Sequence, residues 1–302
     1  MIRRTLCTFT LMLALGLMAP SALAQDIVPE GGKLTKLFEA SVLTEGVAVA
    51  PDGMVYFSDI TFSHLSADET GAFEAGSIWK YNPKTETTVI FRSPSGMSNG
   101  IKFDALGNMI ICEGADSGGQ RIIRTDMKSG KSYVVAGHYR GRPFNSPNDV
   151  TIDLEGRLYF SDPRYLGHEA IEQPVMAVYR IDPNGEITRI ITDAGKPNAV
   201  CVSPDNKTIY VVSNDNGTTG IEQLAQGQKK GDPGVPVPLR KGQMALMAYD
   251  LKKDGSAKFR KTLVDYAPEE GPDGLVVDAN GNLFVARAES RPGIYVYDPD
   301  GK

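Results

Sequence analysis

Five polar residues recur at one place in a repeating pattern: Glu45, Asn99, Asn148, Asn198 and Asp273. Each stands just ahead of a short apolar run, as in Glu45-Gly46-Val47-Ala48-Val49 and Asp273-Gly274-Leu275-Val276-Val277. Together they offer two carboxylates and three amide oxygens, a donor set made only of oxygen. Two acids balance a divalent charge, and the amides add coordination without repulsion. Calcium takes such ligands in flexible geometry, whereas zinc would want His or Cys. A cation held with open positions polarises a carbonyl oxygen and orients a water beside it, which is sufficient for an activated ester such as a lactone. Asp273 bound to a cation would be a weak base, so proximity must help, or Asp149 or Asp162 must carry the proton. His64, His138 and His168 show no metal-ligand spacing, but His64 and His168 sit in expected rim loops, where His168 is a candidate substrate contact together with Asn99, Asn148, Asp149 and Asp162. Any one of the five could merely cap a turn; turn capping alone does not require all five at equivalent places.

The elements that must carry this column are β-hairpins. In Asn148-Asp149-Val150-Thr151-Ile152 and Leu158-Tyr159-Phe160-Ser161-Asp162, two β-rich runs flank a two-residue turn at Glu155-Gly156, so the polar ends meet on one edge. The pattern returns at intervals of about 50 residues, one of them stretched, which is the period of a propeller blade. Third strands follow at Ile78–Tyr81, Ile122–Thr125, Ala177–Ile181, Leu246–Tyr249 and Ile294–Tyr297, and fourth strands at places such as Thr88–Phe91 and Ile187–Ile191. Helical periodicity is absent. The expected fold is an all-β propeller whose first strands line a central channel, bringing the column to one mouth. Long connections near 60–76, 164–174 and 216–243 fall on that same rim and mark a binding side. Lys33–Glu39 alternates and reads as a lone strand that could close the ring, and the chain stops after a third strand with no fourth behind it.

Composition bounds the rest. Residues 1–24 carry Arg3-Arg4, an apolar core and Ala22-Leu23-Ala24, a signal peptide cleaved near Ala24, which predicts a periplasmic or secreted protein. Residues 25–32 form a leader and 33–302 one propeller domain. Loss of the signal leaves 30 basic against 37 acidic side chains, a balance without the basic stripe of a nucleic-acid binder, and no further run reaches membrane length. Cys112 and Cys201 lie in different blades and are expected as buried free thiols. No Gly-x-Ser-x-Gly elbow and no phosphate-binding glycine loop ahead of a helix occur. No obligate protein partner is evident.

From about Leu37 to Lys302 the chain resembles the gluconolactonase / senescence marker protein / luciferin-regenerating enzyme family. The resemblance rests on Thr44-Glu45-Gly46 through Gly53, Asn145-Ser146-Pro147-Asn148-Asp149 with Tyr159-Phe160-Ser161-Asp162-Pro163, Pro197-Asn198, and Gly271-Pro272-Asp273-Gly274. It implies a six-bladed propeller with one divalent ion in the channel: calcium, with zinc or magnesium as the other candidates. It implies Glu45, Asn198 and Asp273 as metal ligands, Asn148 as a contact to metal or substrate, and Asp273 as acid/base. The implied reaction opens a sugar lactone to its aldonic acid. Two departures stand out: Cys112-Glu113 is followed by Gly114 where members often carry His, and only five repeats are visible, so the sixth blade is expected to be missing from this chain. A non-catalytic sugar-binding or scaffold propeller and an organophosphate hydrolase on the same metal hub are the competing readings.

Overall fold

The computed structural model describes residues 27, 31–39, 42–165, 167–219, 242–288 and 291–302. The expected signal peptide and most of the 216–243 connection lie outside these residues. The chain divides into a leading segment, 1–37, and a body, Phe38–Lys302.

The body is a β-propeller of five antiparallel sheets, each built in chain order from inside to outside. Blade 1 comprises β1 (Leu43–Val49), β2 (Val55–Ile60), β3 (Ser77–Asn82) and β4 (Thr87–Arg92). Blade 2 comprises β5 (Ser98–Phe103), β6 (Met109–Glu113), β7 (Arg121–Thr125) and β8 (Ser132–Ala136). A two-stranded ribbon, β9 (His138–Tyr139) and β10 (Arg142–Pro143), leads to blade 3: β11 (Val150–Ile152), β12 (Leu158–Asp162), β13 (Ala177–Ile181) and β14 (Ile187–Ile191). Blade 4 comprises β15 (Pro197–Val202), β16 (Thr208–Asn214), β17 (Met244–Leu251) and β18 (Ala257–Asp265). Blade 5 has three strands, β19 (Leu275–Val277), β20 (Leu283–Arg287) and β21 (Gly293–Tyr297). One short helix, α1 (Ser63–Ser66), sits in the first rim connection, a turn too short for any period to reveal.

The hydrophobic runs bury their side chains between blades. Tyr56 and Ile78 of blade 1 pack on Ile101, Ile111 and Ile123 of blade 2. Cys112 and Ile122 meet Val150, Phe160 and Tyr179 across the next interface. Tyr159 and Val178 meet Val200, Val211 and Tyr249, and Cys201, Tyr210 and Leu246 meet Leu275, Leu283 and Val285. Both thiols are buried and free, as the sequence predicts.

Blades 1 and 5 each keep one apolar face uncovered. Val47 is 66% exposed, while its counterparts Ile101, Val150 and Val200 are at most 1% exposed. Val276 and Ile294 of blade 5 are exposed likewise.

Three local expectations are corrected. Lys33–Glu39 is not a strand; those residues are irregular, and Phe38 packs its ring on Phe57 and Trp79 instead of entering a sheet. Alternation alone cannot supply a strand with a pairing edge. The hairpin of blade 3 pairs Ile152 with Leu158, so its connection is the five-residue loop 153–157 and not a two-residue turn. Asp153 forces this by accepting from the backbone N–H groups of Glu155 and Arg157 (both 2.9 Å), with Gly156 at φ +76°. Among the described residues the predicted absence of helix fails at α1 alone.

Candidate functional site

Each column residue is aimed by a bulge. The register shifts between Glu45 and Ala48 in β1, between Ser98 and Ile101 in β5, and between Pro197 and Val200 in β15. In blades 3 and 5 the inner strand starts only two residues beyond the column, at Val150 and Leu275. A bulge leaves a residue outside the ladder and turns its neighbour, here toward the channel. The approach is close enough to need glycine: a Cβ on Gly46, at φ +60°, would lie 1.9 Å from the Asn99 carbonyl oxygen.

Glu45, Asn99, Asn148, Asp149 and Asn198 line one cavity of about 660 Å³. Asp273 joins them through Asn198, whose amide Nδ2 donates to Asp273 Oδ1 at 2.5 Å, and it borders with Glu45 an adjoining cleft of about 400 Å³. A groove of about 680 Å³ lies at the other end of blades 4 and 5, among Ser203, Arg260, Lys261 and Asp300, away from the column.

The electrostatics are those of crowded, buried acids. Burial pushes the Glu45 carboxyl well up, Asp273 and Asp149 push it further, and a hydrogen bond with Asn99 opposes them. Burial also raises Asp273, against the bond from Asn198. Asp149 is raised by burial too, although Lys102 and the N–H groups of Val200 and Val150 pull it back. Three carboxyls held in one desolvated space are costly unless protonated or joined by a cation. Among the described residues no three His, Cys, Asp or Glu side chains form a metal cluster by themselves; a cation here would depend on amide oxygens beside two acids. The donor set of Glu45, Asn148, Asn198 and Asp273 has the chemistry of a site for a hard divalent ion.

The other predicted residues fall elsewhere. Asp162 is fully buried and does not reach the cavity: its carboxylate accepts from the N–H groups of Asn145 (3.0 Å) and Ser146 (2.8 Å). Burial pushes it up to about 7, against those two bonds and Arg164. His168 stands on the rim, more than half exposed, 3.9 Å from Asp116, whose carboxylate also accepts from Ser63 N (2.7 Å) and Oγ (2.6 Å). That network joins rim connections of three blades and does not face the column. Asp149 is in the cavity, where its Oδ2 also accepts from Val200 N at 3.1 Å.

Sequence reasoning missed Tyr165. Burial raises its phenol, as do Asp273, Asp215 and Glu45, while a hydrogen bond with Asn198 opposes them. It is oriented toward the carbonyls of Asn214 (3.0 Å) and Lys196 (3.2 Å), and the buried Lys196 ammonium sits 4.2 Å from its ring. Nothing in a lone tyrosine of a rim loop signals this; only the fold of the 164–174 connection brings it inward.

The gluconolactonase of Zymomonas mobilis subsp. mobilis is 32% identical over 217 residues, 70% of this chain and 54% of that protein. The lactonohydrolase oryL of Aspergillus oryzae is 30% identical over 193 residues, 60% of this chain and 41% of that protein. The chain thus spans about half the length of the curated relatives it matches. An X-ray structure of a protein provisionally called a gluconolactonase superposes with a TM-score of 0.69 at 25% identity, covering 91% of this chain and 81% of the other. The calcium-binding protein regucalcin of Agrobacterium tumefaciens, at 19% identity and a TM-score of 0.60 over 88% and 74% of the two chains, shares the fold. The family model described as the SMP-30/Gluconolactonase/LRE-like region matches residues 43–234 and 242–302, and the chain belongs to that family.

Proposed function

We propose that this protein is a calcium-dependent lactonase that hydrolyses a sugar lactone, such as a gluconolactone, to its aldonic acid. The observation that carries the reading is the convergence of Glu45, Asn148 and Asn198 on one cavity, with Asp273 joined to it through Asn198 and the acids crowded together. Gluconolactonase and lactonohydrolase relatives support the substrate class. Glu45, Asn148, Asn198 and Asp273 would hold the ion, which when bound supplies a Lewis acid toward the lactone carbonyl.

This chain's own residues do the rest. Asp273 is the general base that takes a proton from the attacking water: the Asn198 amide fixes its orientation, and its proximity to that water offsets the weak basicity of a carboxylate that also holds the ion. Asn99 and Asn148 present amide groups to the hydroxyls of the ring, and Asp149 accepts from a further hydroxyl. Because burial raises these acids, ion binding and proton release are linked.

The cavity admits a ring of sugar size, and no basic surface for nucleic acid is implied. No helix among the described residues is long and apolar enough to cross a membrane. We further propose export through residues 1–24, tested by N-terminal sequencing of the protein from periplasm and medium.

The decisive experiment strips divalent ions with a chelator and follows hydrolysis of glucono-δ-lactone while calcium, magnesium or zinc is returned. Activity restored by calcium is expected. Absence of hydrolysis with every ion, in a folded protein, would leave a binding propeller in place of an enzyme.

A further inference from the structure

We propose that Asp162, which closes the second strand of blade 3, is a positioning residue for Asn148; the proposal rests on the column reading above. The segment Asn145-Ser146-Pro147-Asn148 feeds the column and contains three backbone N–H groups, since Pro147 has none. The end of β12 holds all three. Asp162 Oδ2 accepts from Asn145 N at 3.0 Å, Asp162 Oδ1 from Ser146 N at 2.8 Å, and the Ser161 carbonyl from Asn148 N at 3.0 Å. Ser161 N returns a bond to the Asp149 carbonyl at 3.0 Å. Ser161 and Asp162 therefore hold every N–H group of the segment that carries Asn148, whose own carbonyl accepts from Gly100 N at 2.7 Å.

The arrangement recurs in other blades with other chemistry. In blade 1 the residue at the equivalent register is Asp59, one short of the end of β2, whose Oδ1 accepts from Leu43 N at 3.3 Å, two residues ahead of Glu45, while Oδ2 accepts from Trp79 Nε1 at 3.2 Å. In blade 2 the Glu113 carboxylate fills the space beneath Gly96, three residues ahead of Asn99, where a Cβ would meet its Oε2 at 3.0 Å. In blade 5 the sign is reversed. Arg287 Nη2 donates to Glu269 Oε2 at 2.7 Å and to the Glu270 carbonyl at 3.5 Å, gripping the loop ahead of Asp273 with a cation instead of an anion. Repetition of the contact with opposite charge argues that its purpose is to hold the loop; a lone buried acid would not show this.

A carboxylate is suited to the task in blade 3 because two N–H groups need two acceptors. Asparagine has the same shape but one acceptor, and its NH2 would face the second N–H. Asp162→Asn therefore loosens the loop without opening a cavity. Outer partners of metal ligands typically change affinity 10–100-fold.

The test uses the full chain. Calcium affinity is measured by calorimetry for wild type, Asp162→Asn and Tyr159→Phe, with hydrogen exchange at Asn145 and Ser146 followed in chelator. Tyr159→Phe removes the 2.9 Å bond to Asp153 at the opposite end of the same blade, so it reports a loss of stability unrelated to the column. The expected result is at least tenfold weaker calcium binding and faster exchange at both amides in Asp162→Asn, with Tyr159→Phe within twofold of wild type in affinity. A folded Asp162→Asn with wild-type affinity and protection overturns the positioning role while the column reading stands. A wild type that binds no calcium overturns the column reading and this proposal with it. Should Asp162→Asn not fold, Asp59→Asn puts the same question at Glu45, with the same two outcomes.

Discussion

Gly46→Ala probes the contact on which the column depends. Two costs are legible in the structure. Gly46 holds φ +60°, which costs an L-residue about 1–2 kcal/mol. Its new Cβ would also lie 1.9 Å from Asn99 O, 2.6 Å from Asn99 C and 3.0 Å from Gly100 Cα. All three are backbone atoms, so no side chain can swing aside, and β1 must move from β5 by more than about 1 Å to restore van der Waals separation. Overpacking of this kind costs about 1–3 kcal/mol. The total, about 2–5 kcal/mol, corresponds to a fall in Tm of roughly 5–15 °C at the sensitivity usual for this chain length. Gly156→Ala is the control. Its φ is +76° but nothing lies within 4 Å of the added Cβ, so only the backbone cost of about 1–2 kcal/mol applies. Scanning calorimetry in chelator, with calcium titrations on both variants, reads the difference. The shift should be larger for Gly46→Ala, and only Gly46→Ala should lose calcium affinity, because Glu45 moves with its neighbour. Equal shifts with unchanged affinity would refute the claimed contact between blades 1 and 2.

Three further outcomes are expected. Asp273→Asn should lower kcat for glucono-δ-lactone by at least about 100-fold, the usual span for a lost general base, while far-UV circular dichroism stays that of the wild type; wild-type turnover would remove Asp273 from the chemistry. Calcium at 100 times its Kd should stabilise the chelated protein by about 2.7 kcal/mol, seen as a rise in Tm, and an unchanged Tm would speak against a bound ion. In chelator, stability should fall as pH rises. Asp162, Glu45, Asp149 and Asp273 all hold protons more tightly folded than unfolded. The stability tied to those protons is fully present below the unfolded carboxyl value of about 4 and is lost as pH climbs through each folded value, which for Asp162 is about 7. Calcium should flatten the part of that slope due to Glu45 and Asp273, so parallel pH curves with and without calcium would contradict the shared site.

The sequence by itself determined the architecture and the members of the column. A period of about 50 residues, β-rich runs and turn chemistry are local signals, and a propeller is assembled from local units, so the five blades and the equivalence of Glu45, Asn99, Asn148, Asn198 and Asp273 could be read directly. The third and fourth strands follow from the same logic.

What the tertiary structure alone decided is where each side chain aims. Asp149 and Asp162 look alike in a string of polar residues, yet a bulge and a loop set one in the cavity and the other under the backbone that carries Asn148. His168 shares a rim connection with Tyr165, and only Tyr165 turns inward. Lys33–Glu39 alternates as strands do but stays irregular. Periodicity reports the face of an element, whereas direction at the end of a strand depends on bulges, on contacts between blades and on which N–H groups remain to be satisfied, and these exist only once residues distant in sequence have met.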